Sequence, residues 1–129
     1  MAKKRILITG ANGLLGQSIL HANQGRFDLA ATGRGVQRGD LCGAEYYMLD
    51  TTNAEDYQRA FAAFSPDVVI HAAAMTQVDD CELQPELCHQ LNVEATQRCI
   101  EACEAAQIHL IFISTDFIFD GSAGPYSEE

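Results

Sequence analysis

Two rhythms of apolar residues alternate along this chain. Short, nearly unbroken runs at residues 5–9, 28–32, 46–49, 68–72 and 109–114 read as strands. Between them, apolar residues recur at helical spacing. A first helix is expected from about Gly13, with Leu14, Leu15, Ile19 and Leu20 on one face and Gly25 as a C-cap. A second spans 54–64, carrying Tyr57, Ala60, Phe61 and Phe64, and is stopped by Ser65-Pro66-Asp67. A third, long helix starts near Pro85, which suits a first turn, and runs to about Gln107 with Leu87, Leu91, Ala95, Cys99 and Cys103 along one face.

The run Val68-Val69-Ile70-His71-Ala72 is β-branched and continuous, as befits a central strand covered on both faces. Strand and helix alternate throughout. That pattern implies an α/β fold: a doubly wound parallel sheet of Rossmann type, with right-handed crossovers. At 129 residues the chain fits one domain, 1–129.

Composition narrows the function classes. A formal net charge of −10 argues against nucleic acid, because phosphate backbones are gripped by clustered Lys and Arg. No apolar run approaches bilayer length, so no membrane association is expected. The basic start Lys3-Lys4-Arg5 leads into Ile6-Leu7-Ile8, but Thr9-Gly10 interrupts the apolar stretch too early for a signal peptide, and a cytoplasmic location is expected. Five cysteines lack CxxC spacing, so reduced thiols are expected. Cys99 and Cys103, four apart on a helix, read as small buried residues; no metal site is expected.

The chemistry concentrates where the first strand becomes a helix. Thr9-Gly10-Ala11-Asn12-Gly13-Leu14-Leu15-Gly16 places two residues between successive glycines, a spacing different from GxGxxG. The physical logic carries over: Gly10 permits a tight turn, Gly13 lets a phosphate approach backbone, and Gly16 allows close helix packing. Amides near Asn12, Leu14 and Leu15 would then meet a pyrophosphate at the positive end of the helix dipole. After the second strand the chain reads Thr32-Gly33-Arg34-Gly35-Val36-Gln37-Arg38. An NAD site wants a carboxylate at that strand end to bond the ribose 2′-OH. None is there; Asp28 lies at the strand's beginning. Arg34 and Arg38 suit a 2′-phosphate instead, favouring NADP(H), with NAD(H) the lesser expectation.

Together with Leu49-Asp50-Thr51-Thr52, His71-Ala72-Ala73-Ala74, Leu91-Asn92-Val93-Glu94-Ala95-Thr96 and Ser114-Thr115-Asp116-Phe117-Ile118-Phe119-Asp120-Gly121, the glycine turn resembles the extended short-chain dehydrogenases/reductases. Among them it is most similar to the dTDP-4-dehydrorhamnose reductase group. The resemblance implies NADPH-dependent reduction of a nucleotide-linked 4-keto sugar, with a nucleotide-sugar substrate and a homodimer of the full-length protein. It places Asp50 and Thr51 beside the adenine, and Ala72, Ala73 and Ala74 as a small shelf under the ribose and nicotinamide. Asn92 would steady the strand ends. Thr115 matches the catalytic hydroxyl that bonds the substrate carbonyl, flanked by Ser114 on the cofactor side and Asp116 on the substrate side. Thr76 and Val78 fall where the family touches the sugar. His71 stands where many relatives have Asn, and reads as a core residue at the strand end.

The family's Tyr-x-x-x-Lys pair is not in this sequence. Its lysines are Lys3 and Lys4, and Tyr126 lies in a segment resembling the stretch just upstream of that tyrosine. The expectation is therefore the cofactor-binding front portion of a longer reductase, truncated before the last strands and the C-terminal substrate region, inactive alone and with an exposed apolar edge at 110–113. Two alternatives accompany it: a sugar-nucleotide epimerase or dehydratase, and a non-catalytic NADP-binding regulatory subunit like the partner of methionine adenosyltransferase.

Overall fold

Alternating side chains on the strands supply two separate cores. On β1 (Arg5–Thr9), Leu7 points to one face of the sheet and Ile8 to the other, and β2 (Asp28–Gly33) splits Ala30 from Leu29 and Ala31 in the same way. A computed structural model describes residues 2–128, apart from the side chain of Asp116. In it, β1, β2, β3 (Glu45–Met48), β4 (Val68–His71) and β5 (His109–Phe112) form one parallel sheet in the order β3-β2-β1-β4-β5. The doubly wound, Rossmann-type architecture expected from the alternation is the one observed.

Helix α1 (Leu14–Ala22) covers the face of Ile8, Leu29 and Ala31, joining them through Leu20. Helices α2 (Ala54–Phe64) and α5 (Ala95–Ala106) cover the face of Leu7, Ala30 and Val69, packing Tyr57, Ala60, Phe64, Cys99 and Cys103. Helix α2 falls on the predicted residues because its signals are local. Asn53 caps it by accepting from the Glu55 amide at 2.9 Å, and Ser65 ends it in the left-handed conformation.

Three sequence expectations need correction. Leu14 and Leu15 do not face the core; Leu14 is 88% exposed and Leu15 42%, while Gly16 and Leu20 are buried. The helix turns its glycine inward to lie close on the Gly10–Ala11 backbone, and that choice rotates Leu14 to solvent. The long third helix is α4 (Pro85–His89), a π-helical turn (Gln90–Glu94) and α5 in succession, and it is preceded by a short helix α3 (Val78–Leu83) that the hydrophobic pattern does not announce.

The cysteines supply the third. Cys81 on α3 and Cys88 on α4 are joined in a disulfide, whereas Cys42, Cys99 and Cys103 are free. The corner at Gln84–Pro85 folds the two short helices together and brings the Cα atoms within 5.1 Å, inside the range a disulfide spans. Spacing rules built on CxxC have no view of such a corner. Alkylation of the unfolded, unreduced protein should therefore label Cys42, Cys99 and Cys103 alone, read as intact mass. Five labels before reduction would show Cys81 and Cys88 to be thiols.

β5 and β3 form the sheet's edges. On β5 and just beyond it, Ile111, Phe112 and Ile113 are each at least 42% exposed, the apolar edge foreseen at 110–113. Among the described residues, no helix is long and apolar enough to cross a membrane.

Candidate functional site

The chain steps from β1 outward through β2 to β3, then returns to place β4 on the other side of β1. That reversal leaves a crevice at the carboxyl ends of β1 and β4, the position where open α/β sheets take ligands. Gly10 follows β1 with φ +69°, and a Cβ on it would stand 2.7 Å from the Ala73 Cα and amide nitrogen. Two backbones thus cross in near contact at the floor of the crevice, which requires glycine at that crossing.

From this floor opens a cleft of about 380 Å³, lined by Gly10, Asn12 and Gly13, by Gly33, Arg34, Gly35 and Arg38, by Leu49 and Thr51, and by Ala72, Ala73, Ala74 and Leu91. The glycine turn, the arginine loop and the alanine shelf, recognised in separate stretches of sequence, share one wall. Gly33, Gly35, Leu49 and Leu91 join the lining without having been singled out. At Gly33 a Cβ would meet Asn12 Nδ2 at 2.5 Å, so the Asn12 side chain requires a bare backbone beneath it.

Asn12 ties the turn to the loop. Its Oδ1 accepts from the Arg38 amide at 3.1 Å, and its Nδ2 donates to the Tyr46 hydroxyl at 3.4 Å, which donates to the Gly35 carbonyl at 2.6 Å. α1 begins just past the turn with Gly13 as its N-cap. No side chain caps it and its first turn holds no acidic residue. The positive end of the helix thus carries no charge partner from its own first turn.

Asp50 is not on the lining. Its Oδ1 accepts from the Thr52 amide at 2.9 Å and the Thr52 hydroxyl at 2.7 Å, and its Oδ2 lies 3.9 Å from Arg34 Nε. The Thr52 hydrogen bonds, with Arg34 assisting, hold its carboxyl below the usual carboxylate range. Asp28 sits at the far end of β2, 3.7 Å from Arg5, and plays no part in the cleft.

His71 is a core residue, as expected, and a fully engaged one. It is 1% exposed, with Nδ1 2.7 Å from the Thr9 hydroxyl and Nε2 3.2 Å from the Thr96 hydroxyl. The amides of Ala72 and Ala73 both donate to Thr9 Oγ1 at 3.2 Å. Thr9 therefore spends its own proton on His71 Nδ1. Thr96 in turn donates to the Asn92 carbonyl at 2.7 Å, which leaves its oxygen to accept from His71 Nε2. A neutral imidazole with the proton on Nε2 satisfies this chain, which runs from β1 to the π-helical turn and fixes the shelf's backbone.

Asn92 extends that brace. Its Oδ1 accepts from the Met75 amide at 2.7 Å and its Nδ2 donates to the Met75 carbonyl at 2.9 Å, clamping the segment that leaves the shelf. Thr76 and Val78 follow it and are exposed, outside the cleft's lining. Ser114 and Thr115 also lie off the lining, beyond Ile113, whose amide reaches the His71 carbonyl at 3.3 Å. They therefore continue the carboxyl edge of β5 next to the shelf. Thr115 Oγ1 accepts from the Phe117 amide at 3.2 Å. Asp116, assigned to substrate contact by resemblance, has a side chain outside the described residues. Tyr126 donates to Asp120 at 2.8 Å and stacks on Phe119, organising the last loop.

A parallel sheet in the order β3-β2-β1-β4-β5, with a glycine turn at its switch point and a small-residue shelf beside it, defines an α/β protein of the short-chain dehydrogenase/reductase type. Within that class the chain belongs to the family described as the RmlD substrate binding domain, whose model matches residues 4–129. It is 35% identical over 126 residues to methionine adenosyltransferase 2 subunit beta of Rattus norvegicus, covering 98% of this chain and 36% of that protein. It is 35% identical over 127 residues to dTDP-4-dehydrorhamnose reductase of Aggregatibacter actinomycetemcomitans, covering 96% and 39%. The crystal structure of dTDP-4-dehydrorhamnose reductase from Bacillus anthracis in complex with NADP superposes with a TM-score of 0.80 at 29% identity, covering 95% of this chain and 40% of that one. The chain thus spans less than two fifths of the curated relatives it matches.

Proposed function

We propose that residues 1–129 form the NADP(H)-binding part of a reductase acting on a nucleotide-linked 4-keto sugar, in the manner of a dTDP-4-dehydrorhamnose reductase. The observation that carries this reading is the single cleft shared by Gly10 and Gly13, Arg34 and Arg38, and Ala72 to Ala74. The pyrophosphate belongs at the uncapped start of α1, a 2′-phosphate between Arg34 and Arg38, and the flat rings over alanines too small to obstruct them. When bound, the nicotinamide supplies the hydride. The chain's own work is to orient and to polarise: Thr115, at the carboxyl edge next to the shelf, donates a hydrogen bond to the substrate carbonyl, while Asn92 and His71 hold the shelf. Protonation of the new alkoxide falls to a tyrosine paired with lysine in the further three fifths of chain that the relatives possess.

A second reading has a specific observation behind it, the 35% identity to methionine adenosyltransferase 2 subunit beta. Here the same cleft holds NADP(H) without turnover, in a regulatory subunit. The product of the complete gene should consume NADPH with a nucleotide-linked 4-keto sugar, followed at the NADPH absorbance. Tight NADPH binding with no turnover across a keto-sugar panel, together with capture of a methionine adenosyltransferase, would replace the reductase reading with the regulatory one.

A further inference from the structure

At the end of α1 away from the glycine turn, one side chain from the helix and two from the loop before β3 converge. A ring nitrogen of His21, a carboxylate oxygen of Asp40 and the Cys42 sulfur lie within 4.8 Å of one another, all exposed. This is a mixed nitrogen, oxygen and sulfur donor set, the kind that zinc-like ions prefer, unlike the all-oxygen sets of calcium or magnesium.

Two of the donors are already oriented by a second bond. His21 Nδ1 lies 2.7 Å from the Gln17 carbonyl, so that nitrogen carries the proton and Nε2 keeps its lone pair. A backbone carbonyl holding the far ring nitrogen is the usual support of a metal-bound histidine. Asp40 Oδ1 accepts from the Cys42 amide at 2.9 Å, leaving Oδ2 available and fixing the two residues relative to each other. Cys42 itself is held at φ +50°, followed by Gly43 at φ +87°, in the turn that leads to β3.

We infer that His21, Asp40 and Cys42 form a binding site for a zinc-class divalent transition metal. A tetrahedral ion keeps donors roughly 3.3–3.8 Å apart, so donors within 4.8 Å of one another have at most about 1.5 Å to close, within the reach of exposed side chains. Water completes the fourth position. Binding replaces the thiol proton with the metal, Cys42 becoming a thiolate ligand and the proton passing to solvent. The ion ties residues 34–44 to α1. That loop is already close to the helix at Gly39, where a Cβ would meet the Gln17 side chain at 2.4 Å.

Cobalt(II) titration of the purified protein tests it, since a cobalt–thiolate bond gives a near-ultraviolet charge-transfer band. One equivalent should raise the band, zinc should bleach it, and Cys42→Ser should abolish it. His21→Ala should weaken binding at least about tenfold. Zinc should also slow tryptic cleavage after Arg38 in the wild type and not in His21→Ala. All three residues are exposed, so circular dichroism of the variants should match the wild type. No band in the wild type, or a band that persists in Cys42→Ser, would overturn the site; unchanged cleavage with the band present would overturn the tie to the loop.

Discussion

Gly10→Ala is expected to lower the melting temperature by on the order of 10 °C and to abolish NADPH binding. Two costs add. The residue sits at φ +69°, where a side chain costs roughly 1–2 kcal/mol. Its Cβ would also stand 2.7 Å from the Ala73 Cα and nitrogen and 2.9 Å from the Ala72 carbonyl carbon. These are backbone atoms of the segment leaving β4, pinned by their amides to Thr9, and they cannot rotate aside as a side chain would. Overpacking of this kind costs about 1–3 kcal/mol, so the sum is roughly 2–5 kcal/mol, enough for the expected shift in a domain of this size. Relief can come only by parting β1 from β4 at their carboxyl ends, which opens the floor of the cleft. Gly35→Ala is the matched control: it lines the same cleft, but a Cβ there meets nothing within 4 Å. Thermal melts and NADPH fluorescence titrations of both variants decide the matter. A Gly10→Ala protein melting within a degree or two of wild type would show that the crossing is looser than described.

That crossing also explains what the sequence could and could not disclose. Strands and helices were legible wherever the signal was local, as for α2 with its Asn53 cap and Ser65 stop. The glycine turn was legible because strand, turn and helix are contiguous. What escaped depends on tertiary placement. Leu14 has the composition of a core residue, yet α1 must press Gly16 onto the Gly10–Ala11 backbone, where a Cβ would come within 2.5 Å, and packing takes precedence over the apolar count. The Cys81–Cys88 bond depends on the corner between α3 and α4, which no spacing rule encodes. The need for glycine at Gly33 is set by Asn12, which lies over it from a distant turn. Asp50 adds a contact that the sequence does not encode: its carboxylate closes its own turn through Thr52 and faces Arg34.

The position of Asp50 sharpens the second large prediction, that Arg34→Ala will cost about ten- to a hundredfold in NADPH affinity and little in NADH affinity. Arg34 lines the cleft and its side chain is 64% exposed, with Asp50 at 3.9 Å as its ion-pair partner. An exposed pair at that distance is worth at most about 1 kcal/mol, so it orients the guanidinium without competing seriously for it. A phosphate gains a charged, two-pronged hydrogen bond worth roughly 1.5–3 kcal/mol, which is the expected loss on truncation. Removing Arg34 also leaves the Asp50 carboxylate unpaired. Because the Thr52 hydrogen bonds are the main cause of its lowered pKa, it stays ionised at neutral pH without the arginine and repels a 2′-phosphate. NADH, lacking that phosphate, feels neither loss. Arg34→Lys should fall between, keeping the charge and losing the fork. The NADPH penalty should shrink as salt rises from low to physiological strength, since the missing term is largely charge on charge. Parallel titrations of both cofactors against wild type, Arg34→Ala and Arg34→Lys measure all of this, and an equal fall in NADH affinity would move the 2′-phosphate away from Arg34.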